Sequence, residues 1–165
     1  MKGYHYIKRG IDIILSGMAI VILSPLLLFL CIAIKLDTPG PILFKQKRVG
    51  IHRSFFQIYK FRTMRIDTPK DVPTHMLENP EQYITKVGKF LRKTSLDELP
   101  QIFNIFKGEM SIVGPRPALW NQDDLVAERE KYGANDVTPG LTGWAQINGL
   151  SLIHISEPTR LRCIS

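Results

Sequence analysis

The chain contains one long stretch without charge, residues 13–34, followed by a mixture of short polar and apolar segments. A helix rises about 1.5 Å per residue, so a helix of this length could just cross a bilayer core of about 30 Å. The stretch therefore predicts a membrane segment. A cleaved signal peptide is an alternative, but Lys35 and Asp37 follow the stretch where a small-residue cleavage site would be expected. A buried helix of a soluble protein would need a larger surrounding core than a chain this short can supply.

Ser24 and Pro25 lie in the middle of the apolar stretch. Proline removes a backbone donor and bends or breaks a helix, and the adjacent serine hydroxyl can bond to the carbonyl that is left free. Basic residues occur on both sides of the stretch, whereas a simple span should have them mainly on one side. They are Lys2, Lys8, Arg9, Lys35, Lys45, Lys47 and Arg48. We therefore predict that residues 1–36 form a re-entrant helix that turns at Ser24 and Pro25, with a kinked span as the alternative.

Asp12 lies at the entry of the apolar stretch, at helical spacing from Lys8 and Arg9. An ion pair at i, i+3 or i, i+4 spacing would ease the placement of this carboxylate at the membrane interface. We expect Asp12 to act as an anchor of the membrane segment.

The residues after the membrane segment predict a small domain, residues 37–149, on the cytosolic side. Residues 54–61 are rich in aromatic and β-branched side chains and predict a strand, and the proline-containing residues 67–80 predict a surface loop. Apolar residues recur at helical spacing in residues 83–92 and 96–110, and these amphipathic helices would lie either on the membrane or against a core. The expected fold class is mainly α with little β: a re-entrant membrane helix hairpin followed by a small cytosolic domain with interfacial amphipathic helices.

The charge of the chain favours anionic partners. Lys and Arg number 22 against 15 Asp and Glu, a formal net charge of +7. This charge suits nucleic acid, acidic lipid headgroups or phosphorylated small molecules without choosing among them. The two cysteines, Cys31 and Cys163, are too few and too far apart for a disulfide framework or a metal-ligand spacing. This cysteine content fits a reducing, cytosol-facing environment.

A carboxylate pair, Asp97 and Glu98, follows Ser95 at the predicted start of the second amphipathic helix. In one interpretation the segment is a capping box, in which Ser95 caps the helix and Glu98 reaches back to its amide. Asp97 is then only a favourable charge in the first turn. In the other interpretation the helix start keeps Asp97 ionised as a nucleophile, while free amides hold a phosphate. The local pattern alone favours the capping box.

Two further motifs offer groups for a bound anion. Arg116 lies between Pro115 and Pro117, a stiff segment in which its guanidinium loses little entropy on binding a phosphate or carboxylate. Residues 138–149 (TPGLTGWAQING) combine glycines that permit tight turns with Trp144 and amide side chains. Each motif alone is weak, because the first could be only a loop and the tryptophan only part of a core.

Taken together, the motifs closely resemble the bacterial sugar transferase family, the monotopic polyprenyl-phosphate phosphoglycosyl transferases. The resemblance covers residues 4–149 continuously, and its most specific parts are the segment around Asp97 and Glu98 and the GWAQING segment. The ordered motifs are KRGID (8–12), Ser24 with Pro25, YKFRTM (59–64), LRKTSLDELPQ (91–101), the Pro-Arg-Pro turn (115–117) and PGLTGWAQING (139–149).

The resemblance implies a reaction and a location. Members of the family transfer a sugar 1-phosphate from a UDP-sugar to polyprenyl (undecaprenyl) phosphate and release UMP. The reaction starts the assembly of bacterial glycans such as exopolysaccharide, capsule, O-antigen or glycoprotein. It takes place at the inner (cytoplasmic) membrane, with the catalytic domain on the cytosolic face among inner-membrane lipids. Nucleic acid is not a partner on this interpretation, and Ser24 with Pro25 matches the family's re-entrant break.

The resemblance also implies roles for individual residues. Asp97 attacks the sugar-bearing phosphate and forms a phosphosugar-aspartyl intermediate. Glu98 assists at the metal or in proton management, and Mg²⁺ would be bound by Asp97 and Glu98, since magnesium takes one or two carboxylates together with substrate phosphates. Arg92 and Arg116 match arginines that hold substrate phosphates, and Lys60 is a further residue for the same task.

The resemblance ends after Gly149. The family continues with an arginine and further helical sequence, whereas this chain has Leu150 and then residues unlike the family up to Ser165. We predict that residues 150–165 are an artefact of cloning or sequence assembly and carry no function. On this interpretation the catalytic domain is incomplete at its end, which places the stability and activity of this particular chain in question.

Two other functions fit parts of the pattern. A non-catalytic, membrane-bound basic adaptor needs only the positive charge and the amphipathic helices, but it leaves Asp97 and Glu98 without a role. A multi-span transferase would perform the same reaction, but it needs many apolar runs and this sequence has one. The interpretation as a monotopic enzyme uses all the motifs.

Overall fold

The computed structural model describes residues 2–68, 80–143 and 147. Within these residues the chain forms four α-helices and four strands, joined by loops and short 3-10 turns. They are α1 (Lys2–Asp37), β1 (Leu43–Val49), β2 (Phe55–Phe61), α2 (Lys86–Thr94), α3 (Gln101–Lys107), β3 (Ser111–Val113), α4 (Asp123–Lys131) and β4 (Gly140–Thr142). The coarse part of the predicted fold class is confirmed, because the protein is mainly helical with a small amount of sheet.

The apolar stretch lies within α1, which is long and apolar enough to cross a membrane. Only 17% of its most apolar window is buried inside the protein. Large side chains on its outer side, among them Ile14, Val21 and Phe29, are exposed. The core helix of a soluble protein would be mostly buried, so a continuous exposed apolar surface of this kind indicates membrane association.

The helix continues without interruption through Ser24 and Pro25. Pro25 has no N–H to donate to the carbonyl of Val21, four residues earlier. The Ser24 hydroxyl donates a hydrogen bond of 2.8 Å to that same carbonyl. The predicted role of the serine is therefore confirmed, whereas the predicted turn is not seen as a break in α1 and the re-entrant path stays a prediction.

The inner side of α1 forms part of the core of the folded domain. Leu27, Leu30 and Ile34 are buried in one apolar cluster with residues of three later elements. Those residues are Phe61 of β2, Leu91 of α2 and Ile102 of α3. The membrane segment is therefore a structural layer of the domain and not a separate tether.

Asp12 fastens the first part of α1 to β3. Its carboxylate is buried and accepts hydrogen bonds from the Ser111 hydroxyl at 2.7 Å and from the Ile112 backbone N–H at 3.1 Å. Lys8 lies one turn earlier, 3.5 Å from the Asp12 carboxylate, and its ammonium also contacts the Ser111 hydroxyl. The predicted ion pair within α1 is confirmed between Lys8 and Asp12. Because both side chains also contact Ser111, the pair attaches α1 to β3.

Two further polar contacts fix α1 near its two ends. Arg9 donates to the backbone carbonyls of Ile105 at 2.6 Å and Phe106 at 2.7 Å. These carbonyls belong to the last turn of α3, where helix carbonyls lack intrahelical partners, and the Ile105 carbonyl also accepts from the Gly108 N–H at 3.0 Å. At the other end of α1, the Asp37 carboxylate accepts from the backbone N–H of Val87 in the first turn of α2 at 3.1 Å.

β1 and β2 form an antiparallel hairpin in which Lys45 lies opposite Tyr59 and Arg48 lies opposite Phe56. The predicted strand over residues 54–61 is confirmed by β2. β1 was not predicted, because its lysines, arginine and glutamine conceal the alternation of a strand. Phe61 of this hairpin belongs to the core that is shared with α1. β3 and β4 form a separate parallel pair.

The helix predicted over residues 83–92 is observed as α2, where the Thr85 side chain caps the first turn by accepting from the Gly88 N–H. The helix predicted over residues 96–110 is divided into a 3-10 turn, Leu96–Glu98, and α3. Pro100 lies between the two pieces and cannot donate a backbone hydrogen bond. Both helices have buried apolar positions and exposed phenylalanines, so core packing explains part of each apolar stripe.

Candidate active site

The predicted capping box around Asp97 is wrong. Ser95 has φ 57° and ψ 16°, a left-handed conformation, whereas an N-cap residue has extended backbone. Its side chain makes no capping hydrogen bond, and its N–H closes the end of α2 on the carbonyls of Leu91 and Arg92. The left-handed residue reverses the chain direction, so the carboxylate pair lies on a short 3-10 turn between α2 and α3.

Glu98 is bound by three neighbouring side chains. The Lys60 ammonium donates to its carboxylate at 2.7 Å, the Arg116 guanidinium lies at 3.7 Å, and Gln101 donates a further hydrogen bond. Burial alone would raise the pKa of Glu98, but the hydrogen bond and charge of Lys60, the charge of Arg116 and the bond from Gln101 outweigh it and lower the pKa. Glu98 is therefore a firmly ionised carboxylate that holds cations from two other segments.

Asp97 is in the opposite situation. It is half-buried, and no other described side chain donates a hydrogen bond to its carboxylate. Burial raises the pKa of Asp97, and the charge of Glu98 adds to that rise, while the positive charges of Lys60 and Arg92 oppose it. An anionic carboxylate with few partners beside cations is chemically available for attack on a phosphorus centre.

The other predicted phosphate-binding residues surround the carboxylate pair. Lys60 lies near the end of β2, and Arg116 reaches Glu98 from the loop after β3 with an exposed side chain. Arg92 lies in the last turn of α2, where its Nε donates to the Thr63 hydroxyl at 2.9 Å. The structure thus brings Lys60, Arg116 and Glu98 into direct contact, and Arg92 is near enough to Asp97 to affect its pKa.

Two residues of the site were missed by the sequence analysis. Arg48 and Gln101 line the same small cavity as Lys60, Glu98 and Arg116. Arg48 points to the side of the hairpin that carries Lys60, because residues an even number of positions apart along paired strands share a face. A correct prediction of β1 would have placed Arg48 there, and Gln101 could have been found from its i, i+3 spacing to Glu98.

The charge of the site is suited to an anion. Cations from four separate segments face two carboxylates, which leaves an excess of positive charge before any ligand binds. The cations are Arg48, Lys60, Arg92 and Arg116. A diphosphate would be attracted to this site, since arginine and lysine are the usual partners of phosphate oxygens in proteins.

Asp97 and Glu98 are enough to bind Mg²⁺ only if a substrate supplies further ligands. In the described ranges no group of three or more His, Cys, Asp or Glu side chains lies close enough to hold a metal ion. Mg²⁺ commonly takes one or two carboxylates and completes its coordination with substrate phosphates and water. Asp97 and Glu98 offer such a pair, and among the described residues no side chain competes for Asp97 through a hydrogen bond.

An apolar groove of about 620 Å³ lies next to the site, between α1 and the rest of the domain. Pro100, which closely follows the carboxylate pair, and Phe61, which adjoins Lys60, both line it. Its other walls come from α1, from residues 41–45 at the start of β1 and from Phe103 of α3. Lys45 is the one charged side chain among the described residues that line it. Lipid-like groups could therefore lie beside the carboxylate pair.

Three predicted segments lie wholly or largely outside the described residues. They are residues 69–79 of the predicted surface loop, Trp144 with the other undescribed positions of the GWAQING segment (144–146 and 148–149), and the predicted artefact, residues 150–165. The predictions for these segments therefore stay predictions.

The domain carries a carboxylate pair surrounded by cations and shares its core with a long apolar helix. These features are typical of a membrane-associated protein that binds phosphorylated ligands. The sequence comparison gives the family: residues 3–163 match bacterial sugar transferases, and the chain belongs to that family. The matched range includes much of the segment predicted to be an artefact.

Named relatives agree with this assignment. The chain is 43% identical over 151 residues to UDP-glucose:undecaprenyl-phosphate glucose-1-phosphate transferase of Escherichia coli, covering 87% of this chain and 31% of the relative. It is 42% identical to an undecaprenyl-phosphate N-acetylgalactosaminephosphotransferase of Aeromonas hydrophila, covering 87% and 34%. It is 41% identical to exopolysaccharide production protein PSS of Rhizobium leguminosarum, covering 87% and 74%. The chain therefore spans about a third of the length of the first two relatives.

Proposed function

We propose that this protein transfers a sugar 1-phosphate from a UDP-sugar to polyprenyl phosphate through a covalent intermediate on Asp97. The site would act on the cytosolic face of the bacterial inner membrane, in the first membrane step of glycan assembly. The observation that carries the proposal is the convergence of Lys60, Arg92 and Arg116 on a carboxylate pair in which Asp97 accepts no hydrogen bond from another side chain of the described residues. Names of relatives support the reaction class, and because they include both glucose and N-acetylgalactosamine they leave the hexose open.

In the first step an Asp97 carboxylate oxygen attacks the phosphorus that bears the sugar. The new P–O bond forms as the bond between that phosphorus and the UMP oxygen breaks, and UMP leaves with the bonding electrons. Lys60, Arg92 and Arg116 would bind the phosphate oxygens and stabilise the charge that develops on the leaving phosphate. The positive charges of Lys60 and Arg92 also favour the ionised form of Asp97 that the attack requires.

In the second step a phosphate oxygen of polyprenyl phosphate attacks the phosphorus of the intermediate. The bond from phosphorus to Asp97 breaks, the carboxylate is regenerated, and a polyprenyl diphosphate sugar is formed. The apolar groove beside Pro100 supports this part of the proposal, because it offers a lipid-compatible surface next to the reacting carboxylate. The lipid phosphate would then react without leaving headgroup level.

Mg²⁺ belongs to the proposal as a cofactor shared with the substrate. Asp97 and Glu98 would hold it together with the diphosphate of the UDP-sugar. When bound, the ion would neutralise charge on the diphosphate and favour departure of UMP. The chain's own cations, Lys60, Arg92 and Arg116, would contribute to the same end.

The re-entrant path of α1 is the topological part of the proposal. Asp12 and Asp37 lie near the two ends of α1, about 37 Å apart if the helix is straight, and both bond to the same small domain. A spanning helix would place one of these ends and its polar partners on the far side of a hydrocarbon core about 30 Å thick. Burial of charged groups in that core is costly, so both ends of α1 are expected on the cytosolic face.

An assay of UMP release tests the proposal. Membranes containing the protein are incubated with Mg²⁺, undecaprenyl phosphate and a panel of UDP-hexoses, and UMP and the lipid product are measured. We expect UMP release with at least one UDP-hexose, its loss in Asp97→Asn, and its retention in Asp124→Asn, which removes an exposed carboxylate of α4. After incubation without the lipid, mass spectrometry should find a hexose phosphate on the peptide that contains Asp97. Retained UMP release by Asp97→Asn would overturn the covalent mechanism, and binding to anionic lipid without UMP release would favour the adaptor.

A further inference from the structure

Arg48 is a half-buried arginine that lies beside the carboxylate pair without contacting it directly. Its Nη1 donates to the backbone carbonyl of Pro117 at 3.1 Å, and its Nη2 donates to the Gln46 side chain at 2.7 Å. Its Nε is buried without a hydrogen-bond partner in the described part of the chain. A side chain held at two points in this way supports a neighbouring segment and has little freedom to move.

The segment that Arg48 supports carries Arg116. The backbone N–H of Val49 donates to the carbonyl of Ala118 at 3.0 Å, and Arg48 pairs with Leu119 in an isolated bridge, so the backbone after Pro117 is attached to β1. The Arg48 side chain adds a contact at Pro117, the residue directly after Arg116. Two prolines, the backbone pairing with β1 and the Arg48 side-chain bond therefore fix the base of the Arg116 side chain.

This arrangement has an electrostatic cost. Burial, together with the positive charge of Arg116, lowers the pKa of Arg48 to about 10, and Glu98 compensates only in part. A neutral side chain could fill the same volume without that cost. An arginine at position 48 is explained if its positive charge and its bond to the Pro117 carbonyl both help Arg116 to bind an anion.

We propose that Arg48 is a positioning residue for Arg116: by its bond to the Pro117 carbonyl, braced by Gln46, it holds the Arg116 guanidinium at Glu98, where the diphosphate of the donor would bind. The inference rests on the proposed function. It adds to the site a residue that acts through Arg116 and does not itself contact the substrate.

A double-mutant cycle tests the coupling between the two arginines. Arg48→Gln, Arg116→Gln and the double variant are compared by kcat/KM for UMP release and by the Kd for UDP in detergent. We expect each single variant to lose about tenfold or more in kcat/KM and the double variant to be no worse than Arg116→Gln. Arg53→Gln is the control, since Arg53 is an exposed arginine close to the hairpin whose ion pair is with Glu130.

Two further variants separate positioning from simple loss of charge or of folding. Arg48→Lys keeps the charge but lacks the fork that reaches both Pro117 and Gln46, so it should retain less than half of the activity. Gln46→Leu leaves Arg48 in place and removes only its brace, so it should weaken UDP binding by a smaller factor and have no added effect in Arg116→Gln. Thermal unfolding in detergent verifies that each variant is folded. If Arg48→Gln does not fold, the comparison of Gln46→Leu with the unmodified protein tests the inference in its place.

The outcomes distinguish this inference from the proposed function. Additive losses in the double variant, or full activity of Arg48→Lys, would show that Arg48 does not act through Arg116. Coupled changes in the Kd for UDP without any UMP release would retain the positioning role and reject the transferase reaction. If the unmodified protein does not bind UDP, both are rejected.

Discussion

Burial raises the pKa of Asp97, whereas Lys60, Arg116 and Gln101 overcome the effect of burial and lower the pKa of Glu98. The two adjacent carboxylates therefore affect stability in opposite directions at neutral pH. A folded protein that holds the Asp97 proton more tightly than the unfolded chain loses stability as pH rises through the window between the two pKa values. Glu98 contributes stability above its unfolded pKa and loses it only as pH falls through its lower folded pKa.

Paired amide substitutions test this difference. Asp97→Asn should leave the melting temperature unchanged or raise it, because it removes an unfavourable charge. Glu98→Gln should cost about 1–3 kcal/mol, because it leaves Lys60 without its carboxylate partner. Thermal unfolding in detergent at pH 7 measures both, and the prediction is wrong if Asp97→Asn is the less stable of the two.

The pH dependence of UMP release reports on the ionised form of Asp97. The rate should fall as pH falls through the raised pKa of Asp97, since the protonated acid is not a nucleophile. Lys60→Gln removes a cation that lowers this pKa, so the acid limb should move to higher pH. Lys89→Gln, at an exposed position on α2, is the control and should leave the limb in place. A limb that stays fixed or moves to lower pH in Lys60→Gln contradicts the assignment.

At the level of residues, sequence reasoning named the candidate reacting groups but did not predict their geometry. Asp97, Glu98, Lys60 and Arg116 were identified through the family resemblance, and the structure brings them together. The capping box failed because a Ser-x-x-Glu pattern does not report backbone conformation, and here Ser95 is left-handed. The contacts of Glu98 also join segments distant in the chain, which no local pattern contains.

At the level of elements, α2 is held against the end of the β-hairpin through Gly88. A Cβ at Gly88 would overlap the backbone carbonyl group of Thr63, whereas a Cβ at Gly10 of α1 would meet nothing within 4 Å. Gly88→Ala should therefore destabilise the protein by roughly 1–3 kcal/mol. The same substitution at Gly10 should stabilise it by up to about 1 kcal/mol, because alanine is the better helix former.

The melting temperatures of these two variants provide the measurement. Gly88→Ala should also weaken activity, because it moves α2 away from Thr63, the hydrogen-bond partner of Arg92. Equal stability of the Gly88 and Gly10 variants would show that α2 can shift freely, contrary to this packing. The comparison is internally matched, since both glycines lie inside helices.

The elements that the sequence predicted well are those whose pattern is local. α1, β2 and α2 follow from apolar length, aromatic content and helical spacing. β1 was missed because long polar side chains occupy both of its faces, and residues 96–110 were predicted as one helix because apolar spacing continues across Pro100. The role of Arg48 was lost together with β1.

At the level of the whole molecule, the re-entrant path can be measured by labelling. In a protein with Cys31→Ser and Cys163→Ser, single cysteines are introduced as Gly3→Cys and Leu36→Cys, at exposed positions near the two ends of α1. A membrane-impermeant maleimide should label both in inside-out vesicles and neither in intact spheroplasts. Labelling of the two positions from opposite sides would establish a spanning helix and reject the re-entrant path.

The burial of Leu27, Leu30 and Ile34 with Phe61, Leu91 and Ile102 has a consequence for how the protein is made. The first helix emerges from the ribosome before any other part of the core exists. The later segments then complete their packing on a partner that is already in the bilayer. Folding of the domain and insertion of α1 into the membrane are therefore coupled. A version of the protein without α1 would lack Leu27, Leu30 and Ile34 from its hydrophobic core. Confinement of the proposed transfer reaction to the membrane surface would follow from this order of assembly.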